Sequence, residues 1–114
     1  MRLAARANYL SQDRHAIQFA TNKLCQRMSY PNKQSDMQLK RLSRYLLSHT
    51  KVEYRYADVD ESSLAWLDVY TDSDWAGCKT TRKSTSGGMV VWAGGLLKSW
   101  SKTQSIVATS SGEA

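Results

Sequence analysis

The spacing of apolar residues changes near Thr50, and this change restricts the folds that the chain can adopt. Upstream, apolar residues recur every three or four positions, as they do along the buried face of an α-helix. Downstream, apolar and polar residues alternate, as they do along a half-buried β-strand. We therefore predict a helical segment over residues 1–50 and a strand-rich segment over residues 51–114.

The helical segment carries signals for three helices. The first clear one covers residues 13–28, with Ser11 or Asp13 available to cap its first turn. A shorter helix is expected over residues 2–10. Four apolar residues should line the buried face of the helix over residues 13–28: Ile17, Ala20, Leu24 and Met28.

Pro31 separates this helix from the third one, because proline keeps its predecessor out of helical geometry. Asn32 can then cap a helix that should end near His49. Its predicted inward residues are Met37, Leu42, Tyr45 and Leu46. Its other face carries a basic stripe of Lys33, Lys40, Arg41 and Arg44. This stripe either contacts phosphate groups or is a solvated surface, and the sequence leaves both interpretations open.

Beyond Thr50 the residue pattern predicts strands and one tight hairpin. The predicted strands cover residues 52–57, 64–71, 86–93 and 96–102. Gly94 and Gly95 should form the hairpin turn, because glycine takes the positive φ angles that a tight turn needs. Residues 110–114 have the serines and the Glu113 of a helix start, after which the sequence stops. We therefore expect a sheet whose following helix is truncated.

The charge of the chain is divided unevenly. Eleven Lys and Arg against three Asp and Glu give residues 1–56 a balance of +8, whereas five against seven give residues 57–114 a balance of −2. A basic half beside an acidic one is typical of a protein that binds a polyanion and holds a cation with carboxylates. Solvated helix surfaces would give the same balance, so both interpretations stay open.

Composition excludes several classes of protein. Apolar residues form 41% of the chain and charged residues 23%, as in a globular domain and unlike a disordered one. No run reaches the ~18 apolar residues of a membrane span, and early charges interrupt any signal peptide, so we expect no membrane partner. Cys25 and Cys78 lack a second nearby thiol, which suits a reducing, intracellular compartment.

Asp72 and Asp74 stand at the end of a predicted strand, two residues apart. In an extended chain, residues i and i+2 project to the same side, so the two carboxylates should lie about 6.5–7 Å apart. Such a pair invites a hard cation such as Mg²⁺. The alternative is a simple turn, because Thr-Asp-Ser-Asp is also favourable turn chemistry.

Four segments of the second half resemble, in order and spacing, the ribonuclease H domain of copia-type LTR-retrotransposon Pol polyproteins. They are YTDSDWAG (70–77), RKSTSG (82–87), SWSKTQ (99–104) and ATSSGEA (108–114). Two upstream segments, DRHAI (13–17) and KRLSRYL (40–46), are similar to the end of the family's reverse transcriptase and its connection to ribonuclease H. The resemblance therefore covers nearly the whole chain.

The resemblance implies a fold and an activity. The implied fold class is α+β or α/β: a helical connection segment over residues 1–50, then a truncated ribonuclease H-like domain over residues 51–114 with a mixed sheet of three antiparallel strands. Ribonuclease H enzymes cut the RNA strand of an RNA·DNA hybrid with two Mg²⁺ ions about 4 Å apart. The implied partners are an RNA·DNA hybrid or another nucleic acid, and the rest of the Pol polyprotein.

The resemblance also assigns the acidic site residues. Asp72 matches the first catalytic, metal-binding carboxylate. Asp74 is the motif's second Asp and is either a further metal ligand, a neighbour that tunes the electrostatic field of the site, or a turn residue. Glu113 matches the first Glu of a Glu-Ala-Glu-Tyr-like segment, whose second and catalytic Glu would follow Ala114. One carboxylate of about four cannot offset the repulsion between two Mg²⁺ ions, so this chain alone should be inactive.

Six further residues are predicted to contact a nucleic-acid backbone: Arg82, Lys83, Ser84, Thr85, Ser110 and Ser111. Basic side chains, and hydroxyls at helix N-termini, suit phosphate oxygens. An ordinary polar loop and an ordinary helix cap explain the same residues equally well. The chain also departs from the family at Gly88, where an aromatic residue often stands, and this change removes a packing group from a strand.

Three functions are compatible with these observations. The leading hypothesis is a piece of a retrotransposon polymerase that cleaves hybrids only in its intact form. The second is a non-catalytic nucleic-acid-binding module, which salt-sensitive binding that ignores Asp72→Asn would favour. The third is a non-functional retroelement remnant, which the absence of cooperative unfolding would favour.

Overall fold

The computed structural model describes residues 2–56, 62 and 66–114. The chain forms two compact units, Met1–Glu53 and Tyr54–Ala114, and each is described by itself. The first unit is helical and the second contains an antiparallel sheet. This confirms an α+β chain with three antiparallel strands. The ribonuclease H-like arrangement and the domain boundary after residue 50 stay predictions.

Three helices and a short 3₁₀ turn make up the first unit as described. They are α1 (Arg2–Leu10), the 3₁₀ turn (His15–Ile17), α2 (Gln18–Cys25) and α3 (Lys33–Ser48). The buried core consists of Ala4, Ala7, Ile17, Leu24 and Leu42, and Leu10, Met28, Leu39 and Leu46 pack against it. The helix expected over residues 2–10 is confirmed, and its small alanines allow α1 to lie close to the core.

The helix predicted over residues 13–28 is shorter than expected at both ends: a 3₁₀ turn precedes it after Arg14, and α2 ends at Cys25. The N-cap position of the 3₁₀ turn belongs to Arg14, and not to Ser11 or Asp13 as predicted. Ser11 instead donates its hydroxyl hydrogen to Asn8 O (2.6 Å), in the last turn of α1. Of the four residues predicted to be buried, Ile17 and Leu24 are buried, Met28 is partly buried and Ala20 is exposed.

Asn32 caps α3 as predicted. Its Oδ1 accepts hydrogen bonds from Ser35 N (2.9 Å) and Ser35 Oγ (3.0 Å). The helix ends just before His49, also as predicted. Arg14 donates to the carbonyl oxygens of His49 (2.7 Å) and Thr50 (2.6 Å). These bonds join the start of the 3₁₀ turn to the end of α3 within the first unit.

The buried face of α3 differs from the predicted one. Leu42 is buried and Leu46 partly buried, but Met37 and Tyr45 are 57% and 39% exposed. The face that packs inward consists of Ser35, Leu39, Leu42 and Leu46. Met37 lies only two residues before Leu39, so the same helix face cannot bury both. The basic stripe of α3 is exposed, as a solvated or ligand-binding surface requires.

The described part of the second unit contains three strands: β1 (Leu67–Asp74), β2 (Thr85–Trp92) and β3 (Gly95–Thr103). Neighbouring strands pair antiparallel in the order β1-β2-β3. A register shift interrupts the β2–β3 pairing between Val90 and Val91. Many apolar side chains of the sheet are exposed, among them Leu67, Val69, Tyr70, Met89 and Leu97.

The strand predicted over residues 52–57 is absent from its described part, residues 52–56. Tyr56 instead places its ring against Gly95, where an added Cβ would overlap the ring. Its hydroxyl donates to Leu96 O (3.1 Å). Tyr56 therefore contacts the start of β3 through its side chain and not through backbone pairing.

Two other boundaries in the second unit differ from the prediction. Part of the strand predicted over residues 64–71 lies outside the described residues, and β1 runs on to Asp74. Residues 110–114 form a turn and not a helix start. Its backbone bond runs from Glu113 N to Ser110 O (3.2 Å), which spans three residues where an α-helical bond spans four.

The hairpin between β2 and β3 is confirmed, but its turn lies one residue earlier than predicted. The two central residues are Ala93 (φ 50°) and Gly94 (φ 75°), and Gly95 already belongs to β3. Positive φ at both central residues is the signature of a type I′ turn, which suits the twist of a hairpin. Alanine is a poor residue for this geometry, because its Cβ crowds the backbone.

Replacing Ala93 by asparagine should raise the free energy of unfolding of the second unit by about 0.5–1 kcal/mol, because asparagine tolerates positive φ better than alanine. Ala93→Val should lower it, since β-branched residues tolerate this conformation worst. Tryptophan fluorescence during urea unfolding measures both, because Trp66, Trp75, Trp92 and Trp100 all lie in this unit. A less stable asparagine variant would contradict the turn geometry.

Gly88 is covered by an aromatic ring from the neighbouring strand. It lies opposite Trp100 of β3, and a Cβ at Gly88 would overlap the outer atoms of the indole. The packing group that the family's aromatic residue would supply at this position is thus replaced by Trp100. The glycine is therefore no evidence that the sheet has decayed.

Candidate functional site

Asp72 lies in β1, opposite Gly87 of β2, and its side chain is exposed. Cross-strand partners share a face of a sheet, so the residue facing it has no side chain to cover the carboxylate. Tyr70 and Asp74 lie two residues away on the same strand and therefore on the same face. Asp72 is thus placed on a rigid element with its carboxylate open to solvent.

Asp74 is the last residue of β1, and its carboxylate is directed at the loop that follows. Its Oδ1 accepts a hydrogen bond from the backbone N–H of Thr85, its pairing partner in β2. Its Oδ2 lies so close to Gly77 that an added Cβ there would overlap it. The two predicted metal ligands therefore have different surroundings: Asp72 is exposed, and Asp74 is bonded within the chain.

Residues 75–84 connect β1 to β2 and are called the cationic loop below. Lys79, Arg82 and Lys83 are its charged residues, and it contains no acidic residue. Inside the loop, Arg82 N donates to Cys78 O (2.7 Å), and Cys78 N donates to Lys83 O (3.2 Å). Arg82 has a positive φ of 58°, which these bonds on either side support.

The predicted phosphate contacts of this region differ in exposure. Arg82 is exposed and Lys83 half-buried, whereas Ser84 is fully buried and Thr85 is 6% exposed. The hydroxyl of Ser84 accepts a hydrogen bond from Ala76 N (3.0 Å). The backbone of Thr85 donates to Asp74. In the described chain, Ser84 and Thr85 thus close the cationic loop, and their contact with nucleic acid stays a prediction.

Trp75 and Gln104 connect the end of the chain to this region. Trp75 Nε1 donates to Ala108 O (3.2 Å). Gln104 N donates to Ser84 O (2.9 Å), and Gln104 Nε2 donates to Ser86 Oγ (2.9 Å). The segment after β3 therefore packs beside the cationic loop. Trp75 belongs to the YTDSDWAG segment and Gln104 to the SWSKTQ segment, but their partners depend on the fold.

Ser110 and Ser111 are exposed and lie in the turn near the end of the chain. Glu113 stabilises this turn, because its Oε2 accepts hydrogen bonds from Thr109 N (2.9 Å) and Thr109 Oγ1 (2.6 Å). The hydroxyl bond from Thr109, and then the backbone bond, lower the pKa of Glu113 below its ordinary value of 4.5. A helix N-terminus for phosphate is not formed by these residues.

The turn should open as the pH falls. Because the folded pKa of Glu113 is depressed, its contribution is complete above pH 4.5 and is lost as the pH falls through the lower, folded pKa. We expect the Thr109 amide resonance to titrate with a midpoint below 4.5 in NMR spectra. Glu113→Gln should abolish this titration. A midpoint at or above the ordinary value would contradict the two bonds.

The described residues do not form a complete site for two magnesium ions. Within residues 2–56, 62 and 66–114, no group of three or more His, Cys, Asp or Glu side chains is placed to hold a metal ion. Asp72 alone offers an exposed carboxylate at this end of β1, and Asp74 is engaged by the cationic loop. A magnesium centre therefore requires acidic groups beyond those that the described residues bring together.

The chain is similar to three curated proteins. It is 37% identical to an uncharacterized mitochondrial protein, AtMg00810, of Arabidopsis thaliana, covering 92% of the chain and 42% of that protein. It is 36% identical to the retrovirus-related Pol polyprotein from transposon RE1 of Arabidopsis thaliana, covering 93% of the chain and 7% of the polyprotein. It is 40% identical to secreted RxLR effector protein 161 of Plasmopara viticola, covering 66% of the chain and 51% of that protein.

The chain thus spans less than half of the mitochondrial protein and a small part of the polyprotein. No protein-family model matches the sequence, and no solved structure matches the chain. Among the helices in the described part of the chain, none has both the length and the apolar character that crossing a bilayer requires.

Proposed function

Because the chain is homologous to a segment of a retrotransposon Pol polyprotein, we propose that it forms part of the ribonuclease H region of such a polyprotein, preceded by its connection to the reverse transcriptase. In this proposal the intact protein cleaves the RNA strand of RNA·DNA hybrids, and Asp72 supplies one of its acidic metal ligands. The 114 residues alone do not cleave.

The observation that carries the proposal is the position of Asp72 beside the cationic loop. An exposed carboxylate stands on a paired strand, and three basic residues follow within eleven positions. A nucleic-acid substrate requires cations for its phosphates, whereas a divalent metal requires carboxylates. The second unit supplies part of both sets of groups: a carboxylate on β1, and cations on the loop that follows β1.

A cleavage assay tests the proposal. The 114-residue chain is compared with a longer chain that carries the further acidic motifs of the family, using an RNA·DNA hybrid labelled on each strand and Mg²⁺. We expect RNA fragments only with the longer chain, and an intact DNA strand with both. Failure of the folded longer chain to cut RNA, or cutting by the 114-residue chain, would count against the proposal.

A non-catalytic nucleic-acid-binding module is the second candidate, and the exposed basic stripe of α3 favours it. Phosphate contacts by such a stripe would give an affinity that falls steeply with salt. This function predicts that charge reversal on the stripe abolishes binding, whereas Asp72→Asn leaves it unchanged. A chain without cooperative unfolding would favour the third hypothesis, a remnant.

A further inference from the structure

Both carboxylate oxygens of Asp74 are directed at the cationic loop. Oδ1 accepts the backbone N–H of Thr85, which is the first residue after the loop. Oδ2 packs against Gly77, within the loop, where no side chain beyond hydrogen fits. A metal ligand must instead direct an oxygen toward the ion with open space around it. The contacts of Asp74 are those of a residue that orders a loop.

Two hydrogen bonds join the two ends of the loop that Asp74 contacts. Asp74 joins the end of β1 to Thr85, and within the loop Ser84 Oγ accepts the N–H of Ala76 (3.0 Å). Ser84 is fully buried, so solvent does not compete for this second bond. The ends of the loop are therefore fixed by two separate hydrogen bonds, one to a carboxylate and one to a hydroxyl.

Fixing these ends also restricts the basic residues between them. Arg82 adopts a positive φ, and its N–H is bonded to Cys78 O. Lys83 O accepts from Cys78 N. A preorganised loop loses less conformational entropy when its cations bind an anion than a free loop does. The positions of Arg82 and Lys83 thus depend on the bonds that close the loop.

We infer that Asp74 is a positioning residue and not a metal ligand: it holds the cationic loop in the conformation that presents Arg82 and Lys83 to a phosphodiester backbone. The identity of that ligand rests on the proposed function, whereas the ordering of the loop rests on the geometry alone. The sequence reading of Asp74 as a candidate magnesium ligand is replaced by this role.

Three variants separate the two roles of Asp74. Asp74→Asn removes the charge but keeps an oxygen that can accept the Thr85 N–H, and Asp74→Ala removes both. Gly77→Ala leaves Asp74 in place but forces its carboxylate away from the loop. Asp68→Ala is the matched control, because Asp68 is an exposed acidic residue of the same strand.

Two measurements are made on the full 114-residue chain. Amide hydrogen exchange of Thr85 reports the order of the loop, and fluorescence anisotropy with a short labelled RNA·DNA hybrid reports the affinity. We expect Asp74→Asn and Asp68→Ala to behave like the unmodified chain. Asp74→Ala and Gly77→Ala should lose protection of Thr85 and bind the hybrid about tenfold more weakly, because the loop segment that carries Arg82 and Lys83 must then be ordered on binding.

Several outcomes would overturn the inference. If Asp74→Asn is as impaired as Asp74→Ala, the negative charge of Asp74 is required, as it is for a metal ligand. Mg²⁺ is also titrated into the chain: a shift of the residue 74 amide resonance that is present with aspartate and absent in Asp74→Asn would likewise identify a metal ligand. Lost protection of Thr85 with unchanged affinity would show that the loop does not contact the hybrid. If the unmodified chain binds no hybrid, the proposed partner fails, and exchange of Thr85 in the variants still decides whether Asp74 orders the loop.

Discussion

Asp72→Asn is expected to slow hybrid cleavage by the longer chain at least about 100-fold, since loss of even an outer group of a metal site costs 10–100-fold. The substitution keeps the size of the side chain and removes its negative charge. Two divalent cations placed side by side repel each other strongly, and each lost carboxylate leaves this repulsion less compensated. Asp72 is exposed on β1, so the fold should tolerate asparagine. Initial rates of RNA cleavage at saturating Mg²⁺ measure the effect.

Asp68→Asn provides the matched control. Asp68 lies four residues before Asp72 on β1, is exposed, and belongs to the same face of the sheet. We expect its asparagine variant to cleave at nearly the unmodified rate. Equal losses in the two variants would indicate a general effect of charge on substrate binding. An active Asp72→Asn enzyme would remove Asp72 from the proposed site.

Ser84→Ala is expected to lower the free energy of unfolding of the second unit by about 1–3 kcal/mol, because it leaves the N–H of Ala76 buried without its partner. Ala76 is itself buried and has a positive φ of 52°, so its backbone cannot easily turn toward another acceptor. Urea unfolding followed by tryptophan fluorescence measures the loss in the unit that contains both residues.

Ser110→Ala is the control for this prediction. Ser110 is exposed, and an exposed surface substitution of this kind should change stability by no more than about 0.5 kcal/mol. If Ser84→Ala unfolds at the same urea concentration as the unmodified chain, the hydroxyl does not hold the loop. Ser84→Thr keeps a hydroxyl but adds a methyl group to a site with no solvent exposure. It should therefore restore little of the stability that Ser84→Ala loses.

The parts of the fold that follow from local chemistry could be predicted from the sequence. The Asn32 cap is an example, because the side chain of a cap bonds to the backbone three residues away. The buried face of α3 could not, because Met37 and Tyr45 compete with Leu39 for the core and packing against other helices decides between them. The hairpin turn was displaced because an alanine, Ala93, takes a positive φ that sequence patterns assign to glycine.

In the candidate site, too, local features could be predicted from the sequence and contacts between distant residues could not. The position of Asp72 at the end of a strand follows from residue alternation, and the structure places it in β1. The bond between Asp74 and Thr85 joins residues eleven positions apart, and the bond between Ser84 and Ala76 joins residues eight apart. Such partners depend on strand register and loop path, which the sequence pattern does not specify. Two of the hydroxyl residues predicted to face a ligand, Ser84 and Thr85, are therefore buried, whereas Ser110 and Ser111 are exposed.

The order of strands in the sheet also bears on how the second unit acquires its structure. Each strand pairs with its neighbour along the chain, and among residues 66–114 no connection crosses from one edge of the sheet to the other. Loop closure then costs little entropy at each step, and pairing can spread outward from the two-residue turn at Ala93 and Gly94. Pairing of β2 with β3 from this turn therefore joins residues that are close in sequence, whereas the bonds from Tyr56 to Leu96 and from Trp75 to Ala108 join distant ones.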